Sequence, residues 1–333
     1  MSQKKPSNRR EALVRIAYLA TTTIANSALA QTPSAWPQRP IKWIVSQPAG
    51  AGPDILARYI ADNLSRSLGQ TIVIENRPGG QNVIGAQAAA RAAPDGYTFF
   101  YATTAAMVTN AFTFKTLPYD PDKDFVPVAL VGRSPFVIAA STASGFKTLA
   151  EVIAQAKAQP EKIAIATEGP KTFSGMLADS VAAMAGIKLT HVPYTKAPDA
   201  IQDVLGGRVA LVCLPDAALA AYIKSGQLQA LAVSSGERMA SLPQVPTLGD
   251  TFSGFEYAGW NGLFAPAGTP ADVVARMNRE LAALLRQPEV VQRLLTLGSF
   301  AEGGLSPVAF AGFMKSERER WGRIVKAIGI MPE

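Results

Sequence analysis

Two glycine-containing turns hold the residues best suited to chemistry in this chain, and the chemistry they favour is the binding of an anion. In the first, Gly50 and Gly52 follow the apolar segment Ile41–Val45, and Pro53 stands where a first helical residue belongs. Such a turn directs free backbone N–H groups, together with the positive end of the helix dipole, at whatever lies above it. A plain tight turn would have the same sequence, so the glycine pair alone favours neither interpretation.

The second turn lies within residues 75–85 (ENRPGGQNVIG) and has the composition of an oxygen-binding loop. Four consecutive residues suit close backbone approach or donation from a side-chain amide: Gly79, Gly80, Gln81 and Asn82. Arg77 is the obvious partner for a carboxylate, but Pro78 beside it favours a structural role, packing or pairing near Glu75. Together the two turns predict an anion held mainly by backbone N–H groups.

Residue types for covalent or metal chemistry are scarce. His191 is the sole histidine and Cys213 the sole cysteine, so a zinc site would have to be built mostly from carboxylates. No G-x-S-x-G sequence is present, and the first turn lacks a dinucleotide fingerprint because Ile55 takes the place of the third glycine. We predict no catalytic residue, no metal and no cofactor, with His191 structural and Cys213 in a buried strand. The competing hypothesis is an exported hydrolase that depends on Ser174 or His191.

The elements that must position these turns alternate as strand and helix, which predicts an α/β protein with a parallel sheet. Residues 71–75 and 97–101 are the predicted strands after the first, and a new series begins at 136–140. Ligands bind at the carboxyl edge of such sheets. Thr103 and Thr104 follow the third strand and are candidates to line a pocket. With 333 residues the chain is long enough for two domains.

The first 30 residues have the pattern of a secretory signal peptide. Five basic residues and one acidic residue there account for +4 of the net charge of +7, so about +3 remains and nucleic acid is not an expected partner. A modest apolar stretch ends in Ala28-Leu29-Ala30, which predicts cleavage before Gln31. The pair Arg9-Arg10 loosely matches a twin-arginine signal, and both that route and the general secretory route stay open.

Several motifs in one order resemble the Bug family, the periplasmic solute-binding proteins of tripartite tricarboxylate transporters. Besides the two turns, the matching segments are PDGYT at 94–98, LPYDPDKDF at 117–125, HVPY at 191–194, GQLQALAV at 226–233, LPQVPT at 242–247 and GLFAPAGTP at 262–270. The resemblance covers essentially the whole chain after its first segment. It implies a two-lobed fold of the Venus flytrap kind, type II-like, in which each lobe is a mostly parallel sheet flanked by helices.

The same resemblance implies where the lobes and the site lie. Lobe 1 would comprise residues 37–136 and 257–333, lobe 2 residues 137–256, and the two would close on a small organic carboxylate. The family positions that hold one carboxylate through backbone N–H groups and ordered waters correspond to Gly50, Ala51, Gly52, Asp54, Gly80, Gln81, Asn82 and Val83. For Asp54, a capping role that opposes the helix dipole is equally supported. The pocket is expected to be lined by Thr103, Thr104, Thr172, Phe173 and Ser174.

Lobe 2 is where the chain departs from the family pattern, which usually has Gly-x-Gly-Ser/Thr followed by a histidine. Here Lys171 replaces the second glycine and Gly175 replaces the histidine, while Lys196 follows Thr195 where the family usually has Lys-Gly. The two lysines either pair with a distal acid group of the ligand or are solvated surface residues. The sequence therefore leaves the identity of the carboxylate open.

Taken together, the residues and the resemblance predict a monomeric periplasmic protein without covalent chemistry. It would capture a small organic carboxylate by lobe closure and deliver it to membrane permease subunits. An alternative keeps the fold but makes the output a signal, the liganded form being recognised by a sensor protein. The sequence does not separate transport from sensing.

Overall fold

The structure is a computed structural model that describes residues 1–3 and 36–332. The chain divides into two units, residues 1–38 and 39–333, and the helices and strands described below belong to the second. The predicted signal peptide of residues 1–30, with cleavage before Gln31, falls almost entirely outside the described residues. Within them, no helix is both long and apolar enough to cross a bilayer.

Strands and helices alternate along the second unit. The strands are β1 (Ile41–Val45), β2 (Ile72–Asn76), β3 (Thr98–Thr103), β4 (Phe125–Ser141), β5 (Ala164–Thr167), β6 (Thr190–Pro193), β7 (Leu211–Pro215), β8 (Leu228–Val233), β9 (Ala258–Pro266) and β10 (Phe300–Ala301). The helices are α1 (Gly52–Leu68), α2 (Val83–Ala90), α3 (Asn110–Thr113), α4 (Leu149–Ala158), α5 (Phe173–Ala185), α6 (Ala197–Leu205), α7 (Asp216–Lys224), α8 (Leu248–Thr251), α9 (Ala271–Leu284), α10 (Pro288–Thr296) and α11 (Pro307–Ala327). Short 3₁₀ turns occupy Gly80–Asn82 and Thr142–Ser144, and a π-helical turn occupies Ala105–Thr109.

The strands form two sheets with equivalent topology, one in each lobe, and the long strand β4 belongs to both. The first sheet runs β2-β1-β3-β9-β4, and the second runs β6-β5-β7-β4-β8. In each sheet the fourth strand of that order, β9 or β4, is antiparallel to its neighbours, while the first three strands are parallel. The short strand β10 pairs antiparallel with β4 in the first sheet.

Strand β1 is buried on both faces, which explains its sequence. Trp43 of β1 stacks on Tyr101 of β3 with ring centroids 5.9 Å apart, while Ile44 on the opposite face joins the core that includes α11. A strand covered on both faces has a continuous apolar run instead of alternation. The strand predicted at Ile41–Val45 and the helix predicted to follow Gly52 are both confirmed.

Aromatic rings close the junction between the lobes. Phe173, the first residue of α5, has its ring centroid 4.7 Å from that of Phe136, 4.6 Å from that of Tyr257 and 5.2 Å from that of Trp321. The hydroxyl of Tyr257 also donates a hydrogen bond to the carbonyl oxygen of Phe173 at 3.3 Å. Helix α5, which follows a strand of the second sheet, therefore begins directly against α11.

Strand β4 and helix α7 differ from the sequence prediction. The strand expected at 136–140 is the second half of β4, which begins at Phe125 and contains Pro127 and Pro135. Proline usually confines a residue to an edge strand or a bulge, and the pairing of β4 with β9 is indeed irregular between Pro127 and Ala129. Helix α7 follows β7 with no intervening loop and was not predicted.

Candidate functional site

The first turn, between β1 and α1, is organised by the carboxylate of Asp54. Asp54 is 1% exposed and accepts hydrogen bonds from the N–H of Gly50 at 2.8 Å, from Nε of Arg58 at 2.9 Å and from Nδ2 of Asn76 at 2.7 Å. Burial acts to raise the pKa of this carboxyl, but the hydrogen bonds from Arg58, Asn76 and Gly50 outweigh it and lower the pKa. The side chain of Asp54 thus holds the turn together.

The backbone N–H groups of this turn divide into two kinds. The N–H of Gly50 donates to Asp54, and the N–H of Ala51 donates to the carbonyl oxygen of Pro48 at 3.1 Å. The N–H groups of Gly52 and Asp54, in the first turn of α1, have no acceptor in the described chain. A helix N-terminus of this kind attracts anions. Ligand contact through any of these groups stays a prediction.

The second turn, between β2 and α2, has a strained backbone. Gly79 and Gly80 have φ of 119° and 55°, and the two residues after them, Gln81 and Asn82, have φ of 51° and 78°. Positive φ is uncommon outside glycine and clusters at functional sites. The N–H of Val83 bonds to the carbonyl oxygen of Gly80, whereas those of Gln81 and Asn82 have no acceptor among the described residues. Arg77 pairs with Glu75 at 2.5 Å, as expected.

The two turns are joined to each other. The side-chain amide Nδ2 of Asn76 donates to the carbonyl oxygen of Gln47 at 3.0 Å, and Nε2 of Gln47 donates to Oδ1 of Asn82 at 2.6 Å. Helix α2 also packs against the end of β1, because a Cβ on Gly85 would lie 2.7 Å from Cβ of Ser46 and 2.9 Å from the carbonyl oxygen of Arg77. The two turns that carry the free N–H groups are therefore held side by side.

Gly85→Ala is expected to destabilise the protein by about 1–3 kcal/mol, because the added methyl group overpacks the contact with Ser46. Denaturant unfolding measures this change. Gly312→Ala is the matched control, since Gly312 also lies in a helix and a Cβ there meets nothing within 4 Å. Equal stabilities of the Gly85 variant and the wild type would contradict the close approach.

The two threonines at the carboxyl end of β3, Thr103 and Thr104, have different environments. Oγ1 of Thr104 accepts a hydrogen bond from the N–H of Trp260 at 2.8 Å and is buried, so it ties β3 to β9. Oγ1 of Thr103 is buried and has no partner in the described chain, and the same holds for Oδ1 of its cross-strand neighbour Asn261. Most buried polar atoms in proteins have a hydrogen-bond partner, so these two are free to accept from a water or a ligand. Their contact with a ligand, like that predicted for both threonines, stays untested.

Asn261 was missed by the sequence reasoning. It is 4% exposed and is the one strongly polar side chain in β9, whose residues are all buried. That isolation is the signal that would have singled it out, because a buried amide without a partner costs free energy.

In lobe 2, the predicted pocket residues are engaged within the fold. Oγ1 of Thr172 donates to the carbonyl oxygen of Gly169 at 2.6 Å and accepts from the N–H of Gly175 at 3.3 Å, capping α5. Oγ of Ser174 accepts from the N–H of Glu168 at 2.9 Å. Phe173 lies in the aromatic junction described above. The structure places all three at the start of α5, and their contact with a ligand stays a prediction.

Two carboxyl groups follow the ends of the neighbouring strands β5 and β7. Glu168 is exposed at the surface, yet desolvation by the surrounding protein raises the pKa of its carboxyl. A hydrogen bond from Ser174 acts in the opposite direction and is the weaker effect. Asp216, the first residue of α7, is 2% exposed, and burial raises its pKa to about 6. Within the described residues neither group has a cation at ion-pair distance. Among the lysines, Nζ of Lys171 donates to the carbonyl oxygen of Met331 at 3.4 Å, and Lys196 is exposed.

The residues considered for catalysis have structural environments. Nε2 of His191 lies 2.7 Å from Oδ1 of Asp179. No hydrogen bond joins His191 to Ser174 in the described part of the chain. Cys213 is fully buried in β7, and burial raises its pKa well above the usual range. Across residues 1–3 and 36–332, no group of three or more His, Cys, Asp or Glu side chains is arranged to hold a metal ion.

Comparison with known proteins identifies the family of this chain. Residues 56–330 match the family described as "Tripartite tricarboxylate transporter family receptor". The chain belongs to this receptor family. Protein BugT of Bordetella pertussis is 33% identical over 319 residues, which cover 94% of this chain and 95% of BugT.

Two solved structures of Rhodopseudomonas palustris proteins resemble this one closely. Rpa4515, described with adipate, has a TM-score of 0.82 and 31% identity and covers 90% of this chain and 100% of its own. MatC, described with bound malate, has a TM-score of 0.76 and 30% identity, with coverages of 87% and 100%. These likenesses confirm the predicted Bug-type membership of the receptor family and the two-lobed α/β fold.

Proposed function

We propose that this receptor captures a small organic carboxylate between its lobes in the periplasm and delivers it to a membrane transporter. The observation that carries the proposal is the pair of joined turns. Four of their N–H groups, those of Gly52, Asp54, Gln81 and Asn82, have no acceptor in the described chain. Two of them stand at a helix N-terminus, where a carboxylate gains both hydrogen bonds and a favourable dipole. The adipate and malate in the descriptions of related structures support the same class of ligand.

Lobe closure would complete the site. In the proposed movement, lobe 2 (137–256) rotates against lobe 1 (37–136 and 257–333) about β4 and the chain near Tyr257. Phe173 contacts Trp321 and Tyr257 across this junction, which supports a ligand contact at the start of α5, near Thr172 and Ser174, once the lobes close. The residues of lobe 2 would decide which carboxylate is accepted.

The remaining parts of the proposal concern location and partners. Residues 1–30 would direct export, and the receptor would act as a monomer. The liganded form would be recognised by permease subunits of a tripartite transporter, and the match to a transporter receptor family favours this partner over a sensor protein. Neither covalent chemistry nor nucleic acid has a part in the proposed function.

A thermal-shift screen tests the ligand class. A ligand that binds only the folded protein stabilises it by about 2.7 kcal/mol at a hundredfold excess over its Kd. We expect one or a few carboxylates to raise the melting temperature in a panel that includes adipate and malate. The matched neutral compounds, adipamide and malamide, are expected to leave it unchanged. A shift with neutral solutes and none with any carboxylate would exclude the proposal.

Gly52→Pro tests the first turn directly, because proline lacks an N–H yet suits the first helical position. The preceding residue, Ala51, has φ −71° and ψ 157°, which a following proline tolerates. A hydrogen bond to a charged group contributes about 1.5–3 kcal/mol, so we expect carboxylate affinity to fall by roughly 10- to 100-fold in calorimetry. Gly52→Ala is the control, since it keeps the N–H and its Cβ meets nothing within 4 Å. Equal affinities of the two variants would show that this N–H does not contact the ligand.

A further inference from the structure

Asn110 is a buried amide that reaches the second turn from a distant part of the chain. It is 2% exposed and follows the π-helical turn Ala105–Thr109. Its Nδ2 donates to the carbonyl oxygen of Gln81 at 2.8 Å and lies 3.3 Å from the hydroxyl of Tyr119. Asn110 did not figure in any sequence motif considered above.

The amide of Asn110 is itself held in place. The hydroxyl of Tyr119 donates to the carbonyl oxygen of Ala106 at 2.6 Å, and Tyr119 is buried. π-helical turns leave the regular hydrogen-bond ladder and recur at functional sites. The turn after β3 therefore supplies a rigid buried donor that faces the turn after β2.

The contact fixes the direction of one peptide group. In a trans peptide the C=O and the following N–H point in opposite directions. Because the carbonyl of Gln81 is directed at Asn110, the N–H of Asn82 is directed away from that buried amide, and it has no acceptor in the described chain. Both residues have positive φ, a conformation that persists only when the surroundings enforce it.

We propose that Asn110 is a positioning residue of the anion site: it holds the Gln81–Asn82 peptide so that the N–H of Asn82 is presented to the ligand carboxylate. The side chain of Asn82 is held as well, because Nε2 of Gln47 donates a hydrogen bond to its Oδ1 at 2.6 Å. The inference rests on the proposed carboxylate function for its consequence in binding. The orientation of the peptide can be measured without any ligand.

The test compares Asn110→Leu with Asn278→Leu, using adipate and malate as probes. Asn278 of α9 is the control, since its Nδ2 also links two carbonyl oxygens, those of Val128 at 2.8 Å and Leu305 at 3.1 Å, and is partly buried. We expect both variants to melt at a lower temperature. Only Asn110→Leu should weaken binding of the probe by tenfold or more and speed amide hydrogen exchange at residues 80–84.

A second variant, Tyr119→Phe, serves if Asn110→Leu does not fold. It removes only the hydroxyl that contacts the side-chain amide of Asn110. It should produce a smaller change of the same kind. Equal loss of affinity in the Asn110 and Asn278 variants, or unchanged exchange at residues 80–84, would overturn the inference. Faster exchange without any binding of adipate or malate by the wild type would support the positioning role and count against the proposed function for these two ligands.

Discussion

Asp216→Asn is expected to stabilise the protein above pH 6 by up to about 3 kcal/mol, because one unit of pKa corresponds to about 1.4 kcal/mol. Burial raises the pKa of Asp216 to about 6, whereas an aspartate in an unfolded chain titrates near 4. Oδ1 of Asp216 has no hydrogen-bond partner in the described chain. Its burial follows from the close packing of α7, since a Cβ on Gly298 would lie 2.6 Å from Cβ of Ala217.

The sign of this effect depends on pH. Between about pH 4 and pH 6 the folded protein keeps a proton that the unfolded chain has lost, so the contribution of Asp216 to stability falls as the pH rises. The full penalty applies above pH 6, and the variant should match the wild type near pH 4. Denaturant unfolding of the wild type and the variant at several pH values measures the difference in their free energies of unfolding. The titration of all other groups is common to both proteins and cancels in this difference.

Asp199→Asn is the control for this measurement, because Asp199 also lies in the first turn of a helix, α6, but is exposed. Its difference from the wild type should be small at every pH. A wild-type protein that is no less stable than the Asp216 variant above pH 6 would show that the carboxylate has a partner in solution.

Trp321→Ala is expected to lower the free energy of unfolding by about 3–5 kcal/mol, the usual cost of removing a large buried aromatic side chain. Trp321 is 1% exposed, and its ring centroid lies 4.6 Å from that of Tyr257 and 5.2 Å from that of Phe173. The cavity would open at the junction between the lobes, so we also expect a smaller stabilisation by bound ligand. Denaturant unfolding with and without ligand measures both.

A double-mutant cycle separates the junction from the general cost of the cavity. Trp321→Phe and Phe173→Leu, alone and together, should show a coupling of about 0.5–1.5 kcal/mol if the two rings interact across the lobes. Strict additivity would indicate that the rings stabilise their own lobes independently. A loss below about 1 kcal/mol for Trp321→Ala would be incompatible with its burial.

Much of lobe 1 was predictable because its signals are local. The apolar run of β1, the glycines and Pro53 define a strand, a turn and a helix within a few residues, and the structure has them there. The role of Asp54 was not predictable in the same way. The sequence supported both a cap and a ligand contact, and only the folded chain brings Arg58 and Asn76 to its carboxylate.

What the sequence missed depends on contacts between distant segments. Asn110 meets Gln81 across 29 positions of the chain, and the alanine-rich start of α7 carries no capping residue that would mark it as a helix. Pro127 and Pro135 suggest that a strand should be interrupted at these positions, yet β4 runs through both. Irregular pairing with β9 accommodates Pro127, and β4 passes from the first sheet to the second next to Pro135.

Because β4 contributes pairing to both lobes, the two sheets share a single side-chain alternation. From Phe125 to Pro135 the strand pairs with β9, and from Phe136 onward it pairs with β7 and β8. Deleting or inserting one residue near Ser134 would turn the inward side chains of one half of β4 outward relative to those of the other half. In this chain the connection is therefore expected to tolerate a substitution better than a change of length.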